Sequence, residues 1–224
     1  MLNIAQKRRF RRFSLHTKVV LTMTVLLLTV GTLLLHATQH GLTWVQSFFY
    51  SAVTRTSGFS IYDLGDFSNA SLLCMVLLMF VGAAPGSTGG GIKVSRILIL
   101  GKTLGKELKQ ALHPQVVAPA RMDGKLLNHE TIRTTNVFLA AYIFIFAASF
   151  MLVSLDGFDM VTNFTSIAAT LNNIGPGLNQ VGPMMNFGAY SNFAKLVLIF
   201  DMLAGRLEIF PMLVLFLPDA WRRF

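Results

Sequence analysis

Thr54-Arg-Thr-Ser-Gly-Phe59 and Asn172-Asn-Ile-Gly-Pro-Gly177 are the two segments that decide the fold of this chain. Each of them follows a short apolar stretch and precedes a longer one, so the same arrangement occurs twice. Membrane proteins can build an ion filter in this way, because glycine permits a positive φ and the neighbouring backbone carbonyls can then face an ion. The arrangement predicts that the chain forms half of a pore.

The composition favours a membrane protein. Of the 224 residues, 53% are hydrophobic and 13% are charged, and the mean hydropathy is +0.58. Asp, Glu, Lys and Arg are absent between Lys18 and Arg55, between Arg133 and Asp156, and between Asp159 and Lys195. Because a helix needs about 20 mostly apolar residues to cross the hydrocarbon core, we predict an all-α polytopic membrane protein.

The net charge of +9 is concentrated in three basic segments. They lie before the first apolar stretch, between Lys93 and Arg133, and at Arg222 and Arg223. By the positive-inside rule these segments are cytoplasmic, so both termini are inside and both glycine turns face outward. The alternative is a nucleic-acid-binding tail. We expect no nucleic-acid partner, because each basic segment adjoins an apolar one.

We predict two units, each with a span, a half-length pore helix, a filter turn and a second span, as in potassium channels. The first unit covers 19–111, with spans at 19–35 and 69–84 and a pore helix at 43–53; the second covers 133–218, with spans at 134–155 and 193–217 and a pore helix at about 160–171. A basic N-terminus (1–18), a loop (112–132) and a tail (219–224) are cytoplasmic. The pore helices reach only about halfway through a core of roughly 30 Å, so they must be re-entrant.

The filter is predicted to use backbone carbonyls of the two turns. Its candidate residues are Thr54, Thr56, Ser57 and Gly58 in the first turn and Asn172, Asn173, Ile174 and Gly175 in the second. Both pore helices would aim their partially negative C-terminal ends at the pore, which favours a cation. Arg55 would repel that cation, so we expect it to point away and to support the filter through its hydrogen-bond donors.

A glycine-rich run is predicted to interrupt the second span at residues 85–92. It comprises Gly86, Ser87, Thr88, Gly89, Gly90 and Gly91. Glycine disfavours a continuous helix. After the run, Ile97, Leu100, Leu104 and Leu108 oppose three lysines at helical spacing, which predicts an interfacial amphipathic helix. A nucleotide-binding P-loop is excluded, because Ile92 stands where that motif requires lysine.

Arg206 is a charged residue deep inside the last apolar segment. A charge at that depth costs at least about 2.5 to 3.5 kcal/mol, so a functional role or a partner must offset that cost. Either Arg206 lines the pore or it forms an internal ion pair. Asp201 is five positions away and poorly placed to pair with Arg206 on one helix, so we expect a partner on another segment.

Four stretches carry a family resemblance: TRTSGF, PGSTGGGIK, ATLNNIGPG and GRLEIFP resemble the Trk/Ktr/HKT superfamily of potassium transporters, and the last three its TrkH/TrkG branch. The resemblance implies potassium uptake across the inner membrane of a bacterium, by a chain with four repeats around one pore. This sequence resembles the third and fourth repeats. The resemblance further implies that Gly86–Gly91 and Arg206 act as a gate below the filter.

The resemblance also implies partners. Two repeats supply half of a filter ring, so we expect either the missing N-terminal two repeats or a second copy of this chain. The complete transporter is expected to be a homodimer in membrane lipid, with a cytosolic nucleotide-binding regulatory protein. No cofactor is expected besides K⁺ as the transported ion, which would bind only at the filter.

Three alternatives stay open. The chain is a truncated or split half-transporter that does not conduct alone, or a sodium-permeable or cation-coupled symporter of the same family, or a membrane-embedded enzyme. For the last, Asp201, Lys195 and Glu208 are the candidates. The sequence has no nucleophile with an adjacent base and no Cys/His cluster, so we predict no enzyme.

Overall fold

The computed structural model describes residues 13–87, 89–113, 121–122, 125–207 and 209–214. The predicted basic N-terminus up to Arg12, the gate residue Thr88, the enzyme candidate Glu208 and the predicted tail lie outside the described residues. In the described part, two helical segments are long and apolar enough to cross a membrane, Leu15–Thr38 and His129–Asp156.

The described chain is helical, which confirms the predicted all-α class. Its helices are α1 (Leu15–Thr38), α2 (Trp44–Val53), α3 (Asn69–Phe80), α4 (Val94–Leu112), α5 (His129–Val153), α6 (Met160–Leu171), α7 (Asn192–Leu207) and α8 (Ile209–Val214). Single 3-10 turns lie at Leu64–Asp66, Ser154–Asp156, Asn179–Val181 and Phe187–Ala189. Inside the loop between α4 and α5, strands β1 (Arg121–Met122) and β2 (Lys125–Leu126) pair antiparallel.

Side-chain caps explain where the two short helices begin. The Thr43 side chain accepts from the backbone of Gln46, whose own side chain accepts from the backbone of Thr43, which is a capping box at the start of α2. Asp159 caps α6 by accepting from the Thr162 amide at 3.0 Å. The hydrogen bond from the Thr162 hydroxyl lowers the pKa of Asp159 below its ordinary value. α6 occupies the range predicted for the second half-helix.

One predicted span differs from the structure, and another is only partly described. α3 ends at Phe80 rather than at residue 84, because the chain leaves the helix to pair with its own return segment: the Ile92 amide donates to the Phe80 carbonyl at 3.2 Å. Its 12 residues extend about 18 Å, less than the hydrocarbon core. Of the predicted span at 193–217, the structure describes α7 and α8, and residues 208 and 215–217 lie outside the described part.

Close helix packing joins α1, α2 and α3 to the segment after the second glycine turn. Gly31 of α1 faces Ser51 of α2, where a Cβ on the glycine would overlap the Ser51 hydroxyl. One buried cluster contains Leu35, Tyr50 and Met75, and it extends to Leu178 beyond α6. The core therefore includes both the α1–α3 segment and the segment that follows the second glycine turn.

The outer faces of α1 and α5 are strongly apolar. Exposed large side chains include Val25, Leu26, Leu33, Ile143, Phe144 and Met151. Exposed aliphatic and aromatic side chains on two long helices are what a lipid environment favours, because in water such a surface would promote association. The surface thus agrees with the composition in indicating a membrane protein.

Candidate ion filter

The first glycine turn begins directly after α2. The amides of Ser57 and Gly58 both donate to the carbonyl of Val53, at 3.2 and 3.0 Å. Thr56 has φ +70° and Gly58 has φ +71°. A positive φ is an outlier for a β-branched residue such as threonine, so the surrounding structure must impose it.

The second turn repeats these backbone angles at the matching positions. Asn173 has φ +56° and Gly175 has φ +116°. In an extended chain, successive carbonyls point to opposite sides, whereas a left-handed residue at every second position turns successive carbonyls toward one side. Each turn therefore has left-handed backbone at two alternate positions, which an ordinary extended segment does not have.

The two turns are in direct contact. A Cβ on Gly58 would overlap the carbonyl oxygen of Ile174 and would lie 2.7 Å from Cδ of Pro176. The turns are distant in sequence, so only tertiary packing brings them together. The structure places the predicted filter residues Gly58 and Ile174 side by side.

The glycine-rich loop lies against both turns. Gly82 and Ile92 pair at its root, through a bond of 3.0 Å from the Gly82 amide to the Ile92 carbonyl. A Cβ on Gly89 would lie 3.3 Å from Oγ1 of Thr56, and one on Gly90 would lie 2.5 Å from the carbonyl oxygen of Asn172. A side chain at Gly90 would overlap the second turn, whereas one at Gly89 would first meet the Cβ of Ala83, at 2.6 Å.

Two predicted filter residues use their side chains away from the turns. Thr54 is buried, and its hydroxyl donates to the Tyr50 carbonyl at 2.9 Å. Asn172 is also buried. Its side-chain Nδ2 donates to the Ala168 carbonyl at 2.8 Å, and its side-chain Oδ1 accepts from the Tyr142 hydroxyl at 2.8 Å. These contacts attach the start of each turn to the preceding pore helix, and for Asn172 also to α5.

Arg55 and Asp201 each bond to another segment of the chain. Nη2 of Arg55 donates to the carbonyl of Gly82, at the root of the glycine-rich loop, over 3.4 Å. Asp201 is fully buried in α7 and accepts from the Ser149 hydroxyl at 2.7 Å. Asp201 therefore bonds to a serine of α5, and the partner expected for Arg206 on another segment stays a prediction.

α7 contacts the second turn one residue before Arg206. A Cβ on Gly205 would overlap the Leu171 carbonyl and would lie 2.7 Å from Nδ2 of Asn173. Nδ2 of Asn173 donates to the Met202 carbonyl at 3.2 Å. Arg206 itself is exposed. Beside this contact lies a groove of about 640 Å³, whose lining includes Thr170, Asn173, Gly175, Lys195 and Met202.

Several residues of this site were not predicted from the sequence. Tyr142, Lys93 and Gly205 were not among the predicted site residues. Gly205 could have been found from the sequence, because a glycine inside an otherwise apolar helix often marks a close approach of another segment to that helix. Tyr142 carries no comparable signal, since its bond to Asn172 joins residues far apart in sequence.

Similarity to known proteins identifies the family. A family model described as "TrkH: Cation transport protein" matches residues 11–222. The chain belongs to the TrkH family of cation transport proteins. The predicted resemblance to the TrkH/TrkG branch is thereby confirmed, and TrkH is a transport family rather than an enzyme family.

Individual TrkH relatives support this membership. The Trk system potassium uptake protein TrkH of Escherichia coli (strain K12) is 38% identical over 178 residues, which are 79% of this chain and 36% of that protein. TrkG of the same strain is 33% identical over 185 residues, 82% of this chain and 37% of that protein. This TrkH family chain thus spans less than half the length of these relatives.

A solved TrkH structure has the same fold. The crystal structure of the potassium transporter TrkH from Vibrio parahaemolyticus matches with a TM-score of 0.80 and 35% identity. The match covers 92% of this chain and 45% of that chain. The helical arrangement described above is therefore that of a part of a TrkH transporter.

Tyr50 supports the segment that leaves the first turn, which leads to a stability prediction. Its buried hydroxyl accepts from the amides of Tyr62 at 2.9 Å and Ile61 at 3.2 Å. Tyr50→Phe leaves both donors unpaired, so we expect a loss of about 1–3 kcal/mol in the free energy of unfolding. Thermal unfolding in detergent measures it. Tyr62→Phe is the matched control. It removes an exposed hydroxyl that accepts from Nε2 of Gln46 at 2.7 Å; water can replace this bond, so Tm should stay nearly unchanged. Equal shifts in the two variants would contradict the prediction.

Proposed function

We propose that this chain forms half of a potassium-conducting pore, in which backbone carbonyls of the two glycine turns act as the selectivity filter. The observation that supports this most directly is the pair of matching turns in mutual contact, each with positive φ at two alternate positions. A dehydrated K⁺ needs several oxygen ligands, and such turns supply them without a fixed negative charge. Thr56, Ser57, Gly58, Asn173, Ile174 and Gly175 are the proposed filter residues.

We further propose two repeats of span, pore helix, filter and span. The order of a long helix, a short helix, a positive-φ turn and a further helix occurs twice, at α1–α3 and at α5–α7. The C-terminal ends of α2 and α6 lead directly into the turns, so their partial negative charge favours a cation there. The Arg55 guanidinium donates a hydrogen bond to the Gly82 carbonyl. Its positive charge is therefore directed toward the glycine-rich loop.

The glycine-rich loop is the proposed gate. It touches Thr56 in one turn and Asn172 in the other, whereas a Cβ added to Gly86, at its tip, would meet no atom within 4 Å. A loop that contacts both turns can obstruct or free the path between them. Arg206 follows Gly205, which lies against the second turn, so a pore-lining position near the gate is proposed for it as well.

The partners and the location are also proposals. Two turns make half of a ring, and the groove beside Gly175 is suited to receive further protein from the missing N-terminal repeats or from a second copy. Cytoplasmic basic segments follow from the charge pattern, and a bacterial inner membrane is proposed because the relatives are bacterial. A homodimeric complete transporter and a cytosolic nucleotide-binding regulatory protein are proposed from the family resemblance alone.

Rubidium flux into lipid vesicles tests the pore. The vesicles hold the purified chain alone, or together with a separately produced N-terminal half taken from a TrkH relative. We expect uptake only where four turns assemble, with potassium competing better than sodium. Uptake by a chain shown to be monomeric would contradict the half-ring, and equal competition by sodium would favour the sodium-permeable alternative.

A further inference from the structure

We propose that the buried ammonium group of Lys93 holds the glycine-rich loop in position beneath the two turns. Lys93 is thus a positioning residue for the gate, and its role as part of a gate depends on the proposed function above. Its role in holding the loop does not depend on conduction, so the two can be tested separately.

The contacts of Lys93 are unusual for a lysine. The residue is 4% exposed, although lysines are almost never fully buried unless they are paired. Nζ donates to the carbonyl of Ser87 at 3.3 Å and to the carbonyl of Gly89. Both acceptors belong to the glycine-rich loop, so the charge of this residue is stabilised by the loop backbone.

Lys93 is anchored at its other end. It is the residue immediately before α4, and its carbonyl accepts from the amides of Arg96 at 2.9 Å and Ile97 at 3.3 Å in the first turn of that helix. The next residue, Val94, is buried and donates to the Ala83 carbonyl at 3.3 Å. The backbone of Lys93 is therefore fixed while its side chain reaches back into the loop.

The outer part of the loop depends on this side chain. The amide and hydroxyl of Ser87 both bond to Ala84, within the same turn, at 3.1 and 2.6 Å. Ser87 and Gly86 are exposed, whereas Gly89 and Gly90 lie against the turns. By joining Ser87 and Gly89 to the root of α4, Lys93 links the exposed part of the loop to the part that contacts Thr56 and Asn172.

Charge makes this link stronger than a neutral one. Hydrogen bonds from an ammonium group to carbonyls are roughly twice as strong as those between neutral groups. Any movement of the loop away from the turns has to break or rearrange the bonds to Ser87 and Gly89. Lys93 therefore sets how often the loop leaves its position.

Accessibility of a cysteine covered by the loop tests this role. The parent carries Cys74→Ser, which removes the natural thiol, and Ala83→Cys as the reporter, because the half-buried Ala83 lies against Gly89 of the loop. Adding Lys93→Met should raise the rate of modification by a water-soluble thiol reagent about tenfold, because the charge-assisted bonds are gone. Lys93→Arg should restore most of the protection. Lys109→Met, an exposed lysine of α4, is the matched control and should change nothing.

The outcomes separate the two proposals. Equal modification rates in the parent and in Lys93→Met overturn the role of Lys93, whether or not the chain conducts. If Lys93→Met does not fold, as judged by circular dichroism and gel filtration, Lys93→Gln takes its place, and an unchanged rate there overturns the proposal. A raised modification rate in Lys93→Met supports the role of Lys93 in the loop. If the unsubstituted chain shows no rubidium flux in the assembled pore, that result counts against the pore and leaves the role of Lys93 intact.

Discussion

Replacing Gly58 with alanine is expected to abolish rubidium uptake by the assembled pore, by more than about a hundredfold. Two costs combine. A side chain at φ +71° is strained by roughly 1–2 kcal/mol, and its Cβ overlaps the carbonyl oxygen of Ile174. That oxygen cannot move aside without displacing the second turn, and misplaced ligands no longer replace the water shell of the ion.

Two matched variants separate strain from overlap. Gly157 has φ +75° with open space where a Cβ would lie, and it stands between α5 and α6, outside the proposed filter. Gly157→Ala should therefore keep uptake within about twofold, since only the backbone strain of roughly 1–2 kcal/mol is added there. Gly175→Ser, with φ +116° and open space, should alter the preference for potassium over sodium while leaving some flux. Full uptake by Gly58→Ala would contradict the proposed filter.

Gly205→Ala is expected to have the second largest effect, on stability as well as on flux. In a helix interior, alanine normally stabilises by about 1 kcal/mol relative to glycine. Here the added Cβ meets the carbonyl of Leu171 and the side-chain amide of Asn173, so α7 must move away from the second turn. Overpacking of this kind costs typically about 1–3 kcal/mol. We therefore expect a lower Tm and loss of rubidium uptake.

Gly101→Ala is the control, because Gly101 also lies inside a helix, α4, and a Cβ added there would meet no atom within 4 Å. There the normal helix preference applies, and Tm should stay equal or rise. The difference in Tm between the two variants measures the close approach of α7. If both variants shift Tm alike, α7 does not approach the second turn as described.

Local patterns in the sequence predicted the two short helices from short apolar stretches, and side-chain caps in the structure explain where these helices begin. Thr43 and Asp159 begin the two short helices, because a side-chain oxygen can satisfy free amides at a helix start. The spacing of leucines against lysines predicted the amphipathic character of α4. The end of α3 was predicted four residues too late, because residues 81–84 are apolar but pair with the return segment of the loop.

The sequence by itself determined the membrane class, the family, the two glycine turns and the glycine-rich loop, because each depends on composition or on short motifs. Only the tertiary structure decided that Gly58 meets Ile174, that Gly90 lies against Asn172, and that Lys93 reaches the loop carbonyls. These contacts depend on how helices distant in sequence pack, and each residue type involved is also common in ordinary turns. No local pattern can specify which distant backbone a glycine or a lysine will touch.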